Sequence, residues 1–373
     1  MSESEQTSSR KLDHVRIVLG EDVAAKGVTT GFAAYRLPHE AAPELDLAEI
    51  DTSVTFLGKR MRAPLLISSM TGGARDVARI NIVLAEAAEA LGLAMGVGSQ
   101  RAALVDPRLA DTYRVRHVAP TIPLLANLGA VQLNYGFGVD ECRRAVDMIE
   151  ADALVLHFNA LQEAVQPEGN TNFKGLLRRI EEVCLHLDVP VIAKEVGNGI
   201  GAASARRLVD AGVKIIDVAG AGGTSWSEVE RYRHTTERGA QVAGAFAGWG
   251  IPTTEAIRQV RAARPDITII GSGGVRSGVD VAQAIALGAD LAATARPALS
   301  PAVDERGAAA VIESLQTYID DLRIAMFCTG CGDLAALRQL RLERVCARYA
   351  QWSLVCMCHT SVHATSATTN GSI

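Results

Sequence analysis

The chain has 373 residues, of which 48% are hydrophobic and only 4% aromatic, with glycine at 34 positions. That length accommodates one β/α barrel, which needs ~250 residues and tolerates insertions, and the small residues suit helices packed closely on a parallel sheet. A net charge of −5 without a basic run excludes nucleic acid as the expected partner, and no apolar run approaches the ~20 residues of a membrane span.

The first eleven residues, MSESEQTSSRK, are polar and lead into no apolar stretch, which is not the pattern of a secretory signal. The chain is therefore expected in the cytoplasm with its seven cysteines largely reduced. Cys328 and Cys331 make one CxxC with no second pair at zinc-ribbon distance, which argues against zinc. Residues 1–60 read as an extension with one hairpin, DTSVTFLGKRMR, placed to close a barrel floor. Eight apolar runs follow at 64–70, 93–99, 123–129, 153–159, 190–196, 214–220, 267–273 and 289–295. Runs of this length suit strands buried on both faces. Helical patterns separate them, among them DVARINIVLAEAAEALG and TEAIRQVRAARP, and Cys142 and Cys184 fall in two others. Eightfold alternation of this kind predicts a closed parallel barrel of the α/β class, the TIM (β/α)8 barrel, over 61–345. The connection 222–265, after the sixth run, is long enough to suggest a lid. From Cys346 to Ile373 the period is lost, and a frayed tail is expected.

Barrel active sites lie at the C-terminal ends of the strands. The first run ends in Ser68, Ser69, Met70 and Thr71; the second in Ser99, Gln100 and Arg101; the third offers Asn127. The fourth offers His157, Asn159, Gln162 and Glu163, and the fifth Lys194 and Glu195. The sixth leads into Ala219 and Thr224, the seventh into Gly273, Gly274, Val275 and Arg276, and the eighth into Ala295 and Arg296. Glycines after the seventh strand let backbone N–H groups approach an anion, which makes the last two strands a candidate phosphate site. A buried lysine is costly unless it is paired or used. Lys194 is thus a partner for a carboxylate, a Schiff-base nucleophile, or a positive charge beside a reduced flavin. The amides and hydroxyls of Thr71, Ser99, Asn127 and Thr224 favour the flavin. His157 alone is compatible with a structural role, but four polar residues within seven positions point to a site. Glu163 is either an exposed helix glutamate or a ligand for a hard cation that also takes phosphate oxygens. Arg10, Lys11 and Arg101 are candidate partners for an anionic substrate.

In order along the chain, RKLDH, SSMTGG, GSQR, ANLGA, LHFNALQE, KEVGNGI, AGAGGTSW and GSGGVRSG cover about residues 10–340. With these motifs the chain resembles the type 2 isopentenyl-diphosphate isomerases, FMN-dependent barrels of isoprenoid biosynthesis. The combination of the N-terminal Arg-Lys, GSQR and LHxNxxQE carries the specificity. The resemblance implies FMN held by Ser68, Ser69, Met70, Thr71, Ser99, Asn127, Lys194, Ala219 and Thr224. Its phosphate would rest on Gly273, Gly274, Val275, Arg276, Ala295 and Arg296. It implies a substrate diphosphate on Arg10, Lys11, Ser99, Gln100 and Arg101 with His157 and Asn159 nearby, Gln162 beside the alkene, and Mg²⁺ on Glu163. Gln162 and Lys194 would be the catalytic pair, NADPH the reductant of FMN, and the assembly a homo-tetramer or octamer. The chain departs from the family at Ala219, usually serine, and at Phe158, usually aliphatic. Rival readings are an FMN oxidoreductase on the same barrel and a non-catalytic flavin-binding protein. An inosinate-type dehydrogenase needs a cysteine after strand six, where GAGGTSWSEVE has none; a hydroxy-acid oxidase needs a His–Arg pair late in the barrel, and Arg276 is available but no histidine stands in 235–358.

Overall fold

Each of the eight apolar runs becomes a parallel strand. In chain order they are β1 Leu65–Ile67, β2 Ala94–Gly96, β3 Leu124–Gly129, β4 Ala153–Phe158, β5 Val191–Glu195, β6 Ile215–Asp217, β7 Thr268–Ser272 and β8 Leu291–Thr294. In this computed structural model β8 pairs with β1 (Ala293 opposite Leu66), so the sheet closes into a barrel. Residues 3–345 are described; the expected tail, 346–373, lies outside them.

Side chains alternate between the two faces of each strand. Leu65, Ile67, Leu124, Ala126, Leu154 and Leu156 point outward into the helix layer. Leu66, Leu125, Val155, Ile192, Ile215 and Ile270 point inward and fill the lower barrel. Two residues further along, on the same inward face, stand Asn127, His157, Lys194, Asp217 and Ser272. An apolar plug and a polar mouth are therefore successive layers of one pleat.

The expected hairpin forms, Val54–Phe56 against Lys59–Met61. Phe56 and Met61 are buried against the inward residues of the barrel and close its floor. Burying two such side chains contributes about 1.5–3 kcal/mol each. The 222–265 connection is no open lid. It holds three helices, Trp226–Arg233, Glu237–Gly244 and Thr253–Ala263.

A further helix, Glu3–Gly20, was not legible as an element in the polar N-terminus. Lys11, His14, Val15 and Val18 follow an i, i+3, i+4, i+7 spacing, so they share one face, and all four line the barrel mouth. The His14 ring meets the edge of Trp226 at 5.1 Å, which docks this helix on Trp226–Arg233.

Candidate active site

The strands' C-terminal ends surround a cavity of about 580 Å³, roofed by the N-terminal helix. Its wall takes residues from every strand or from the loop that follows it. Of the residues expected there, Arg10, Lys11, Ser68, Ser69, Met70, Thr71, Ser99, Arg101, Asn127, His157, Asn159, Gln162, Glu163, Lys194, Ala219, Thr224, Gly273, Gly274, Val275, Arg276, Ala295 and Arg296 all line it.

Gln100 does not, which corrects its assignment to a substrate. Its side chain is fully buried, donating from Nε2 to the Ala145 carbonyl at 2.8 Å and accepting at Oε1 from Asn127 N at 2.9 Å. Both ends of the amide are spent on joining β3 to the neighbouring helix. Glu195 is also absent from the wall. Its carboxylate accepts from the backbone N–H groups of Val196, Gly197 and Asn198 at 2.6–2.9 Å and holds the turn after β5.

Strand register sets the centre of the mouth. Gly129, His157, Lys194 and Asp217 are successive neighbours across β3, β4, β5 and β6. A side chain at Gly129 would meet the His157 ring at 3.3 Å, so the glycine leaves room for the imidazole. His157 Nδ1 bonds Asn127 Oδ1 at 2.8 Å. Burial, followed by the charges of Lys194, Lys11 and Arg10, pushes His157 down to about 3, so the ring is neutral at physiological pH. The Lys194 ammonium donates to the Glu195 carbonyl at 2.6 Å. Asp217 lies close enough for Lys194 to oppose the upward push that burial gives its carboxyl, and it accepts from the Ser272 hydroxyl. Lys11 Nζ donates to the Ser99 carbonyl at 3.0 Å; burial, then the neighbouring Arg10, lowers it to about 7.

At the β6–β8 side the loops approach backbone to backbone. A Cβ on Gly223 would lie 2.6 Å from Gly274 N, and Gly273 and Gly274 have φ of 104° and 69°. Only glycine permits this approach and these left-handed conformations. The result is a cradle of backbone donors flanked by Arg276 and Arg296. Beside this cradle, after β1, Thr71 Oγ1 and, across the mouth after β4, Asn159 Oδ1 are buried without any hydrogen-bond partner. Orphaned polar atoms on a cavity wall await a ligand. A flat heteroaromatic phosphate such as FMN matches these features: a glycine cradle at one end, and a hydroxyl, amides and one cation along the wall.

A hard cation also finds a partial site. Glu163 Oε2 accepts from Gln166 Nε2 and Asn170 N at 2.6 Å each, whereas Oε1 accepts only from Asn159 Nδ2 at 2.9 Å. That leaves lone-pair capacity on Oε1, beside the unpartnered Asn159 Oδ1. Among the described residues no three His, Cys, Asp or Glu side chains gather for a metal. A cation here would need oxygens from a substrate, which is the habit of Mg²⁺.

Three participants escaped the sequence. Glu230, fully buried on the helix Trp226–Arg233, accepts at Oε1 from Gln162 Nε2 (2.8 Å) and from His14 Nε2 (3.1 Å), and at Oε2 from Arg233 (2.6 Å). Burial lowers His14, so it is neutral, and since a carboxylate only accepts, its proton sits on Nε2. Trp226 completes the wall. The signal for Glu230 and Trp226 was their place just after the β6 glycine loop; His14 is one helical turn from Arg10 and Lys11.

Fold and site together define a flavin-binding barrel enzyme. Residues 145–344, more than half the chain, match the family model of FMN-dependent dehydrogenases. A mandelate oxidase mutant carrying an FMN adduct superposes with TM-score 0.62 at 20% identity, over 92% of this chain and 100% of its own. A putative lactate oxidase of Pediococcus acidilactici gives 0.64 at 16%, over 92% and 93%. At such identities the likeness concerns the fold.

Closer relatives decide the family. The isopentenyl-diphosphate delta-isomerase of Nostoc is 53% identical over 337 residues, covering 90% of this chain and 96% of the relative. That of Stutzerimonas stutzeri is 54% identical over 342 residues, with 91% and 98% covered. The chain belongs to the isopentenyl-diphosphate delta-isomerases, in their type 2, FMN-dependent form.

Proposed function

We propose that the protein interconverts isopentenyl and dimethylallyl diphosphate without net oxidation, using reduced FMN, with Mg²⁺ at Glu163 and NADPH as the reductant of the flavin. One observation supports this over an oxidoreductase: the cavity has two anion-binding ends. The glycine cradle with Arg276 and Arg296 serves one phosphate-bearing ligand; Arg10, Lys11 and Arg101 with Glu163 suit a second. A hydroxy acid offers one carboxylate, which a single guanidinium satisfies; three cations beside a carboxylate able to hold a hard cation suit a diphosphate better.

Moving the double bond requires a proton added at the terminal alkene carbon and another removed from C2. Reduced FMN supplies the proton-donating and proton-accepting chemistry that no side chain of this wall offers to apolar carbon. The chain's own groups bind and orient. Lys194 supplies the positive charge that an anionic reduced flavin needs. Ser68, Ser69, Met70, Thr71, Ser99, Asn127, Ala219 and Thr224 are assigned to the ring and ribityl chain, and the β7–β8 loops (Gly273, Gly274, Val275, Arg276, Ala295, Arg296) to its phosphate. Arg10, Lys11, Ser99 and Arg101, with neutral His157 and Asn159, anchor the substrate diphosphate, so remote binding energy fixes the carbon skeleton. The amide of Gln162 is held in one orientation, because Glu230 takes only its Nε2 and Asn159 Nδ2 donates to its Oε1 at 3.2 Å. It presents a fixed dipole to the alkene. The family resemblance also supports a homo-oligomer, tetramer or octamer, which light scattering would resolve. No helix among the described residues is long and apolar enough to cross a membrane.

The test is anaerobic incubation of the protein with isopentenyl diphosphate, Mg²⁺, FMN and NADPH. Dimethylallyl diphosphate should accumulate without stoichiometric loss of NADPH. Bound reduced flavin with no product, or NADPH consumed in step with substrate, overturns the reading.

A further inference from the structure

The segment after Glu163 returns across three strand ends. Asn170 does not line the cavity, yet three residues that do converge on it. Its backbone N donates to Glu163 Oε2 at 2.6 Å. Its Oδ1 accepts from Arg101 Nη1 and from Gln132 Nε2, each at 3.1 Å. Arg101 follows β2, Gln132 follows β3 and Glu163 follows β4, so one residue ties three successive strand ends. We propose that Asn170 is a positioning residue for the cation and the diphosphate, holding the Glu163 carboxylate and the Arg101 guanidinium in a fixed mutual register. The nature of the two ligands rests on the function proposed above.

The geometry gives Asn170 this task in two ways. Together with Gln166 Nε2 it occupies Glu163 Oε2, so the carboxylate can turn only Oε1 toward a cation. Arg101 meanwhile is a long side chain whose guanidinium loses conformational freedom on gripping a phosphate; an acceptor that holds it beforehand removes part of that cost. The segment is itself fixed at several points. A Cβ on Gly169 would lie 1.7 Å from the Glu163 carbonyl, so the chain must fold back on the helix turn there. Glu168 Oε1 accepts from Arg233 Nη2 at 2.7 Å, and the same guanidinium bonds Glu230 through Nη1. The Asn170 side chain is thus a fixed post to which Arg101 is tied.

Both partners of Asn170 Oδ1 are donors, so an aspartate can replace the amide and alanine cannot. The experiment titrates FMN-loaded protein with inorganic pyrophosphate in Mg²⁺ by calorimetry, beside steady-state isomerase kinetics. Asn170→Ala should weaken Mg²⁺-pyrophosphate binding about tenfold or more, the cost of losing a hydrogen bond to a charged group. Its KM for isopentenyl diphosphate should rise more than its kcat falls, and FMN absorbance should be retained. Asn170→Asp should restore binding to within about threefold. Unchanged binding in Asn170→Ala, or an Asn170→Asp variant as weak as Asn170→Ala, overturns the proposal. If Asn170→Ala sheds FMN, Asn170→Leu, of similar volume, is held to the same criterion. A parent protein that binds Mg²⁺-pyrophosphate but makes no dimethylallyl diphosphate would sink the isomerase reading and leave this one standing; a parent that does not bind it sinks this one.

Discussion

Replacing Glu230 with leucine isolates what holds Gln162 in place. The side chains are of similar size, so packing changes little, but every hydrogen bond that Glu230 accepts is lost. Gln162 Nε2 and the His14 Nε2 proton each lose a buried acceptor, at about 1–3 kcal/mol apiece. Arg233 loses one of two carboxylates and keeps Glu168. The desolvation of the carboxylate is relieved, which offsets part of this, and water in the adjacent cavity can reach the freed donors. A net loss of about 3 kcal/mol follows, at the lower end for breaking a buried charged pair. Burial alone would push Glu230 up, but the hydrogen bond from His14, then the Arg233 charge and the bond from Gln162, hold it at about 2 against an ordinary 4.5. Because the folded value is the lower one, this stabilisation is complete above pH 4.5 and lost as pH falls through 2. Thermal unfolding should therefore show Glu230→Leu melting about 4 °C below the parent at neutral pH, for a chain of this size. The gap should stay constant above about pH 5 and narrow toward pH 2. Turnover should fall at least about tenfold with FMN retained, since Gln162 is no longer oriented. A variant that melts with the parent at pH 7, or that isomerises at the parent's rate, would refute the role assigned to this carboxylate.

Two further expectations follow from single atoms. Thr71→Val removes a buried hydroxyl that has no partner in the ligand-free protein. The flavin-free variant should melt at or above the parent's temperature, while its FMN dissociation constant, read by fluorescence quenching, rises about tenfold; unchanged FMN affinity would contradict the placement of the ring. Lys11 is held near 7 by burial and by Arg10, so in the free enzyme it loses its charge as pH rises through that value. The kcat/KM for isopentenyl diphosphate should decline above about pH 7, and Lys11→Arg should carry the plateau beyond pH 9 because a guanidinium stays protonated. A parent profile flat to pH 9 would show that Lys11 does not meet the diphosphate.

How much was legible depends on how local the physics is. Eight apolar runs named the strands and their order, because burial on both faces leaves a mark within each segment. The floor hairpin was equally local, two short alternating strands around Leu57-Gly58. Strand ends gave most of the cavity wall, since a parallel barrel puts all its C-terminal loops at one mouth. Gln100 failed because adjacent residues on a turn point different ways: Ser99 and Arg101 reach the cavity, and the amide between them is turned to Ala145 and Asn127. In the connection after β6 the helical period of 254–265 is legible, whereas the helices Trp226–Arg233 and Glu237–Gly244 carry few apolar residues and leave a weaker pattern.

By itself the sequence determined the barrel, the glycine cradle of the last two strands and the family motifs, all of which are carried by contiguous residues. Only the tertiary structure decided how the second anion site is built. The docking of the N-terminal helix brings His14 to Glu230, 216 positions away, and the chain's return after Glu163 brings Asn170 to Arg101, 69 positions back. Such contacts leave no periodicity to read. They exist because a closed barrel gathers loops from every part of the chain over one opening, where buried polar groups must find partners in each other or in a ligand.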